Sequence, residues 1–253
     1  MLDTTQNILV VIATLAGALL LMFLLNRLWP WERRRVHNDL IGWHISVLGT
    51  TYAVIVGFML YTVWTNFGEA ELNADAEANA LLNVFRLAQG LPEQQCIELR
   101  HFARAYADVV ITKEWPAMAQ QNVTFEVNQD NRGMWDTLLS VKTDSPTESS
   151  AASQALRELS DMNQYRRIRQ LQSTSKLPAI LWFVLLVGGA VTIGSGCMFG
   201  SGSTVLHGLQ VSAFSLLIAL VLVAIADIDQ PFQGTVHVSD VAFRRAIQTM
   251  RSY

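Results

Sequence analysis

The chain has 253 residues, of which 51% are hydrophobic and 15% are charged. Because soluble proteins carry about 25% charged residues, this composition is typical of a protein with a large lipid-facing surface. The formal net charge is −3, which argues against nucleic acid as a partner, since surfaces that bind nucleic acid are basic.

Two apolar stretches near the N-terminus predict a first pair of transmembrane helices. The run from Ile8 to Leu25 is uncharged, and residues 40–68 contain no Asp, Glu, Lys or Arg. A helix needs about 20 apolar residues to cross a bilayer, and these stretches approach or exceed that length. We therefore expect spans at about 7–28 and 41–65 within a first transmembrane pair, residues 1–68.

A hydrophilic stretch rich in helix-forming residues follows and predicts an inserted soluble domain, residues 69–176. Span two is expected to continue as one long helix to about Gln89. Gly90 and Pro92 then mark the end of that helix and the start of the next. The next helix has an apolar stripe at three- and four-residue spacing, and we expect it to end at Trp115-Pro116.

The second half of the insert contains three predicted elements. Residues 119–131 are polar and weakly patterned, which favours a loop, and a short helix is expected around Met134–Val141. Ser145-Pro146-Thr147-Glu148 has the pattern of a capping box with proline at the first helical position. It predicts a helix from about Pro146 to Thr174.

A second apolar region predicts another pair of spans. From Leu177 to Ala226 the chain contains no Asp, Glu, Lys or Arg, and a short Gly- and Ser-rich break divides this run. We expect spans at about 178–200 and 205–226 within a second transmembrane pair, residues 177–227, followed by a C-terminal tail, 228–253. The predicted fold is an all-α membrane protein with four transmembrane helices in two pairs and a helical soluble domain inserted between spans two and three.

Opposite charges flank the insert and predict a packing register. Acidic residues follow span two and basic residues precede span three. If these two extensions pack antiparallel, one register faces Glu69 with Lys176, and Asp75 and Glu77 with Arg169. Exposed ion pairs contribute only about 0–1 kcal/mol each, so they would set register more than stability. Two independently solvated charged faces are the alternative.

Span two carries the candidate pore-lining residues. Hydroxyl groups are costly against lipid, so they are expected to face other helices or water. Thr51, Ile55, Phe58 and Thr62 share one helical face that combines small hydroxyls with bulky apolar side chains. Such a face could line a narrow pore that closes by dewetting, or it could be an ordinary packing face within a helix bundle.

Two aspartates at the end of span four are structural or ion-contact candidates. Asp227 and Asp229 lie at a helix C-terminus, where negative charge opposes the helix dipole and needs a compensating partner. They could dock on Arg33, Arg34 or Arg35, cap the N-terminus of a neighbouring helix, or hold a cation.

The chain contains no motif that predicts catalysis. It has no His-Glu-x-x-His, Cys-x-x-Cys, Walker or nucleophile-elbow pattern, and its histidines are scattered. We therefore expect no enzymatic activity, no bound metal and no cofactor.

Several short motifs, taken in their order and spacing, resemble the bestrophin-like family, bacterial membrane proteins with two spans on either side of a soluble helical insert. The resemblance extends from about Tyr52 to Phe243. The motifs are Gly57-Phe58, Glu69-Ala70, Glu77-Ala78-Asn79-Ala80-Leu81, Tyr106, Glu114-Trp115-Pro116-x-Met118, Leu177-Pro178, Leu181-Trp182 and Asp229-x-Pro231-Phe232-x-Gly234.

The further likeness to bestrophin anion channels implies an oligomeric ring in the inner membrane, with span two lining a pore for a small anion. The expected partners are thus the lipid bilayer, further copies of the chain and an anion. A non-conducting membrane scaffold or sensor, whose soluble helices bind a partner, is the alternative. A long acidic run follows the last span in calcium-gated bestrophins, and its absence here argues against calcium gating.

Charge patterning leaves the orientation in the membrane open. Arg27, Arg33, Arg34 and Arg35 crowd the short loop after span one, which favours a cytoplasmic position for that loop by the positive-inside rule. A bestrophin-like topology implies the reverse orientation.

Overall fold

A computed structural model describes residues 4–122, 129–142 and 145–253. Within these ranges the secondary structure is helical, and no strand occurs among the described residues. The helices are α1 (Thr4–Leu28), α2 (Trp31–Arg35), α3 (Asn38–Leu87), α4 (Glu93–Val109), α5 (Trp115–Ala119), α6 (Gln129–Leu139), α7 (Pro146–Thr174), α8 (Ala179–Cys197), α9 (Thr204–Ile228) and α10 (Val241–Arg251).

The described chain divides into two compact units. The first comprises Met1–Thr65 and Lys176–Asp229, and the second comprises Asn66–Ser175 and Gln230–Tyr253. Helix α3 contributes its first part to unit one and its second part to unit two.

Four helices are long and apolar enough to cross a membrane, and they confirm the predicted fold class. The candidate spans are Thr5–Leu28, a segment within Asn38–Gly90, Ala179–Cys197 and Thr204–Ile228. The third ends three residues before the predicted limit at 200. Just beyond this end, Gly200 packs closely on α2, since an added Cβ atom would lie 2.6 Å from the backbone nitrogen of Arg35.

Close helix packing in unit one depends on small residues. The ring of Tyr52 on α3 lies against Gly188 and Gly189 on α8, where an added Cβ would come within 2.7 and 2.9 Å of it. The Tyr52 hydroxyl donates a hydrogen bond to the carbonyl oxygen of Leu185 at 2.9 Å. Glycines allow membrane helices to approach this closely, and the tyrosine hydroxyl is satisfied at the contact.

Unit two has its own hydrophobic core, built from the second part of α3 and from α4, α6, α7 and α10. Large, fully buried side chains in it include Phe85, Tyr106, Met134, Leu159 and Phe243. The last of these belongs to α10, which lies inside the segment expected to be a tail. Helix α10 packs into the core because its apolar residues recur at helical spacing.

Several predicted boundaries are confirmed and others are corrected. Helix α3 ends near the predicted position, followed by a 3₁₀ turn to Gly90. The Ser145 hydroxyl caps α7 by accepting a hydrogen bond from the Glu148 backbone N–H. Pro116 does not end the helical run, which continues through Val110–Glu114 into the first turn of α5, where Pro116 lies. Helix α6 begins at Gln129, earlier than predicted, and residues 123–128 of the expected loop lie outside the described residues.

Candidate functional site

The four candidate pore residues lie on a face of α3 that is largely unpacked within the single chain. Thr51, Phe58 and Thr62 are exposed and Ile55 is partly buried. The Phe58 residue is 65% exposed. The Thr62 hydroxyl donates to the carbonyl oxygen of Phe58 at 2.8 Å. The hydroxyl is therefore satisfied within its own helix, and the face presents mainly aromatic and methyl groups.

A different face of α3 is packed inside unit one. Tyr52 is 8% exposed and Val63 is 1% exposed. With 3.6 residues per turn, these two positions lie about 100° around the helix from the Thr51–Thr62 face. Helix α3 therefore has one face packed against its own chain and another that its own chain leaves uncovered.

Asp229 lies at the N-terminus of α8. Its Oδ1 atom accepts a hydrogen bond from the Leu177 backbone N–H at 2.9 Å, and its side chain also bonds to Trp182. Burial raises the pKa of Asp229 above its usual value, although the bonds from Leu177 and Trp182 and the charge of Lys176 oppose the change. Asp227, two residues earlier on α9, is partly buried.

Arg34 does not pair with these aspartates. Its Nη1 donates to the carbonyl oxygen of Cys197 at 2.9 Å, and its Nη2 bonds to the side-chain oxygen of Asn26. The guanidinium group thus links α2 to the ends of α1 and α8. Asp229 thus bonds to the backbone just before α8, and the roles considered for the two aspartates stay predictions.

A buried charge cluster lies in the core of unit two. Arg169 donates to Glu77 from Nε at 2.6 Å and from Nη2 at 2.9 Å, and its Nη2 also reaches Glu114 at 2.7 Å. Arg166 donates to Glu114 at 2.8 Å, and the Tyr106 hydroxyl donates to Glu77 at 2.7 Å. Two arginines and two glutamates thus balance in charge.

The neighbouring charges shift the pKa values of Arg169, Glu114 and Tyr106. Burial by itself lowers the pKa of Arg169, but Glu77 and Glu114 raise it overall. Burial likewise tends to raise the pKa of Glu114, and the two arginines lower it overall. Burial and the nearby glutamates raise the pKa of Tyr106 well above its usual value, so its hydroxyl stays a donor.

Aromatic rings and a thioether complete the surroundings of Arg169. Its guanidinium carbon lies 5.2 Å from the ring centre of Trp115 and 5.9 Å from that of Phe243, within the range of cation–π attraction. Its Nη1 lies 3.3 Å from the sulfur of Met118. One side chain of α7 therefore contacts α3, α5 and α10 as well as the Glu114 segment.

Glu114 is positioned by a local irregularity. Residues Val110–Glu114 form a π-helical turn between α4 and α5. Such a turn holds one more residue than an α-helical turn and changes which side chains face inward. The expected uniform helix over this segment is therefore corrected.

The predicted register is matched only in part. Arg169 pairs with Glu77, whereas Asp75 is exposed and is not its partner. The two acidic residues cannot share this role, because positions two apart lie on nearly opposite sides of a helix. The pairing of Glu69 with Lys176 stays a prediction.

Sequence reasoning missed Glu114, Arg166 and Tyr106. Arg166 precedes Arg169 by three positions on one helix, and that spacing places both on the same face. The spacing was a usable signal. Glu114 lies in one of the family motifs, but no spacing pairs it with Arg169, because its orientation depends on the π-helical turn.

Four apolar helices long enough to span a bilayer, together with a separate helical unit, define the class of α-helical membrane proteins. A family model for the Bestrophin-like domain matches residues 12–243. The chain therefore belongs to the bestrophin-like family, as its motifs predicted. No curated protein sequence matches it.

Solved structures share the fold at low sequence identity. A crystal structure of a bacterial bestrophin homologue from Klebsiella pneumoniae with a leucine-to-threonine mutation matches with a TM-score of 0.73 at 12% identity, covering 96% of this chain and 99% of that one. A membrane protein with a proline-to-alanine mutation matches with a TM-score of 0.70 at 12% identity and the same coverages. A tyrosine-to-alanine variant of the Klebsiella homologue has a TM-score of 0.66 at 12% identity, again with the same coverages.

Proposed function

We propose that the protein is a homo-oligomeric channel for small anions in the bacterial inner membrane, with α3 lining the pore. The observation that carries this proposal is the exposed face of α3 formed by Thr51, Phe58 and Thr62. Membership of the bestrophin-like family supports it.

The exposure of this face favours several copies around an axis. One helix cannot enclose a water-filled path, whereas copies of α3 from several chains can. Phe58 would then form a ring of aromatic side chains, and such an apolar constriction can gate by dewetting. The hydroxyls of Thr51 and Thr62 would border this constriction on both sides.

The proposed wall carries no charge that would exclude an anion. From Leu40 to Gly68 the sequence contains no acidic residue. Cation-selective pores commonly carry rings of Asp or Glu, and this part of α3 cannot supply one. An anion would therefore meet no repulsive carboxylate along the proposed wall.

The two units would have different roles. Unit one would cross the membrane four times, with the spans in two pairs, and the hydrophilic insert at 69–176 would form a soluble helical domain on one side. The insert would regulate or support the pore rather than catalyse a reaction, because its buried charged groups are engaged with one another.

Recordings from purified protein reconstituted in planar bilayers test this proposal. We expect anion currents from the wild type and altered conductance in Phe58→Ala, which removes the constricting ring. Phe183→Ala is the matched control, because Phe183 is 61% exposed on α8 and lies outside the proposed pore face. Silence of the wild type at high protein density would contradict the proposal and favour a non-conducting scaffold.

A further inference from the structure

A basic corner lies where α1, α2 and the start of α3 meet. Arg27, Arg33 and Arg35 are exposed there, while Arg34 is completely buried. Among the described residues, no carboxylate lies within ion-pair distance of any of these four arginines. Glu32 and Asp39 lie on the same described segment but form no ion pair with these arginines, so the corner keeps a net positive charge.

In the part of the chain that the structure describes, the buried charge of Arg34 has no opposite charge beside it. The hydrogen bonds of Arg34 go to a backbone carbonyl and an amide oxygen, both neutral, and its Nε has no partner. A buried charge is costly unless an opposite charge compensates it. An anion bound next to Arg35, the neighbour of Arg34, would supply that charge from close by.

An apolar pocket opens beside this corner. Its volume is about 350 Å³. Its lining includes Ile45, Ile193, Phe199, His207, Val211 and Phe214. Gly196 and Gln210 complete the lining, which is mostly apolar and therefore suits an apolar occupant.

The pocket and the basic corner are joined directly. Phe199 lines the pocket, and the next residue, Gly200, packs against the backbone of α2. The Asn38 side chain donates to the Gly200 carbonyl and accepts from the Gly200 N–H, both at 2.9 Å. This two-way bond fixes the pocket wall next to the arginines.

Tryptophans surround the corner. Trp29, Trp31 and Trp43 lie in or beside the turn between α1 and α3, and Trp43 is 65% exposed. Tryptophan is enriched at the level of lipid headgroups. The corner therefore has the composition of a membrane–water interface.

We propose that this corner is a binding site for an anionic phospholipid. The phosphate group would lie near Arg35, whose backbone contacts Gly200 next to Phe199, with Arg27 and Arg33 adding positive charge at the headgroup level, and an acyl chain would enter the pocket beside Phe199. Clusters of basic residues next to a membrane helix attract anionic lipids, and basic pockets between such helices bind their headgroups. The charge of the corner and the apolar pocket together match an amphiphile better than a free ion.

Lipid titration of the full chain, purified in detergent and followed by native mass spectrometry, tests this site. Phosphatidylglycerol and phosphatidylcholine with identical acyl chains are compared. We expect the wild type to prefer phosphatidylglycerol, and R33Q/R35Q to bind it about 30-fold more weakly, at about one tenfold step per 1.4 kcal/mol and about 1 kcal/mol per arginine.

The matched control is R157Q/R167Q, which removes the same charge from two exposed arginines of α7 and should bind like the wild type. Equal binding of the two lipids by the wild type would overturn the proposal, as would wild-type affinity in R33Q/R35Q or an equal loss in the control. Displacement of the lipid by millimolar inorganic phosphate would also overturn it, since the site would then take a free anion.

Discussion

Arg169 and Glu77 form a two-point ion pair, with both side chains completely buried and N–O distances of 2.6 and 2.9 Å. The pair joins α7 to the second part of α3. A guanidinium group and a carboxylate match in this planar arrangement, so the contact fixes how the two helices are aligned.

Removal of one partner of this pair should destabilise unit two strongly. Glu77→Ala leaves Arg169 buried without its main counter-charge, which costs about 3–5 kcal/mol. We expect the melting temperature of the detergent-purified protein to fall by on the order of 10 °C. Asp75→Ala, an exposed position on the same helix, should melt like the wild type. An unchanged melting temperature in Glu77→Ala would show that the pair has no role in stability.

The Tyr106 hydroxyl should contribute less to the stability of unit two than Glu77 does. It donates to Glu77 at 2.7 Å in a fully buried position. Tyr106→Phe removes this bond and leaves the ring, so the loss should be about 1.5–3 kcal/mol, as for a hydrogen bond to a charged group. Thermal melting should place this variant between the wild type and Glu77→Ala. A loss as large as that of Glu77→Ala would contradict this order.

The contribution of Glu114 should depend on pH. Its folded-state pKa lies below the ordinary value of 4.5, because Arg169 and Arg166 outweigh the effect of burial. A carboxyl group with a lowered folded-state pKa stabilises the protein above its unfolded-state pKa, and this stability is lost as pH falls through the folded-state value.

The difference in melting temperature between the wild type and Glu114→Gln should therefore be complete at pH 7 and should shrink below pH 4.5. Melting curves collected from pH 7 to pH 3 measure it. A difference that stays constant over this range would mean that ionisation of Glu114 does not stabilise the fold.

Gly200 should not tolerate a side chain. An added Cβ would lie 2.6 Å from the Arg35 nitrogen and 2.9 Å from the Trp31 oxygen, and backbone atoms cannot move aside cheaply. Gly200→Ala should destabilise unit one by about 1–3 kcal/mol, the usual cost of overpacking. Gly194→Ala is the control, since nothing lies within 4 Å of its Cβ position. Equal melting temperatures for the two variants would contradict the close contact with α2.

The fold was largely predictable because it depends on composition and periodicity. Charge-free runs such as Leu177–Ala226 identify membrane helices, and the cap at Ser145 follows from its own sequence pattern. Helix α10 was missed, although Phe243, Ala246 and Met250 recur at three- and four-residue spacing. Its short length and its position after a turn masked that signal.

The charge cluster was only partly predictable. Counting residues along two antiparallel helices brings Arg169 near both Asp75 and Glu77, and the choice between them depends on helix rotation. Burial decides it, because only Glu77 faces the core. Glu114 joins through a π-helical turn whose location is set by tertiary packing and not by a local motif.

The proposed pore is tested most directly by cysteine accessibility during bilayer recordings. Both native cysteines are free and would first be replaced by alanine. Thr62→Cys should then lose current when a charged thiol reagent is added, because its side chain faces the water-filled path. Leu209→Cys, 64% exposed on α9, should be unaffected. If the Thr62→Cys current does not change when the reagent is added, a pore lined by α3 is contradicted.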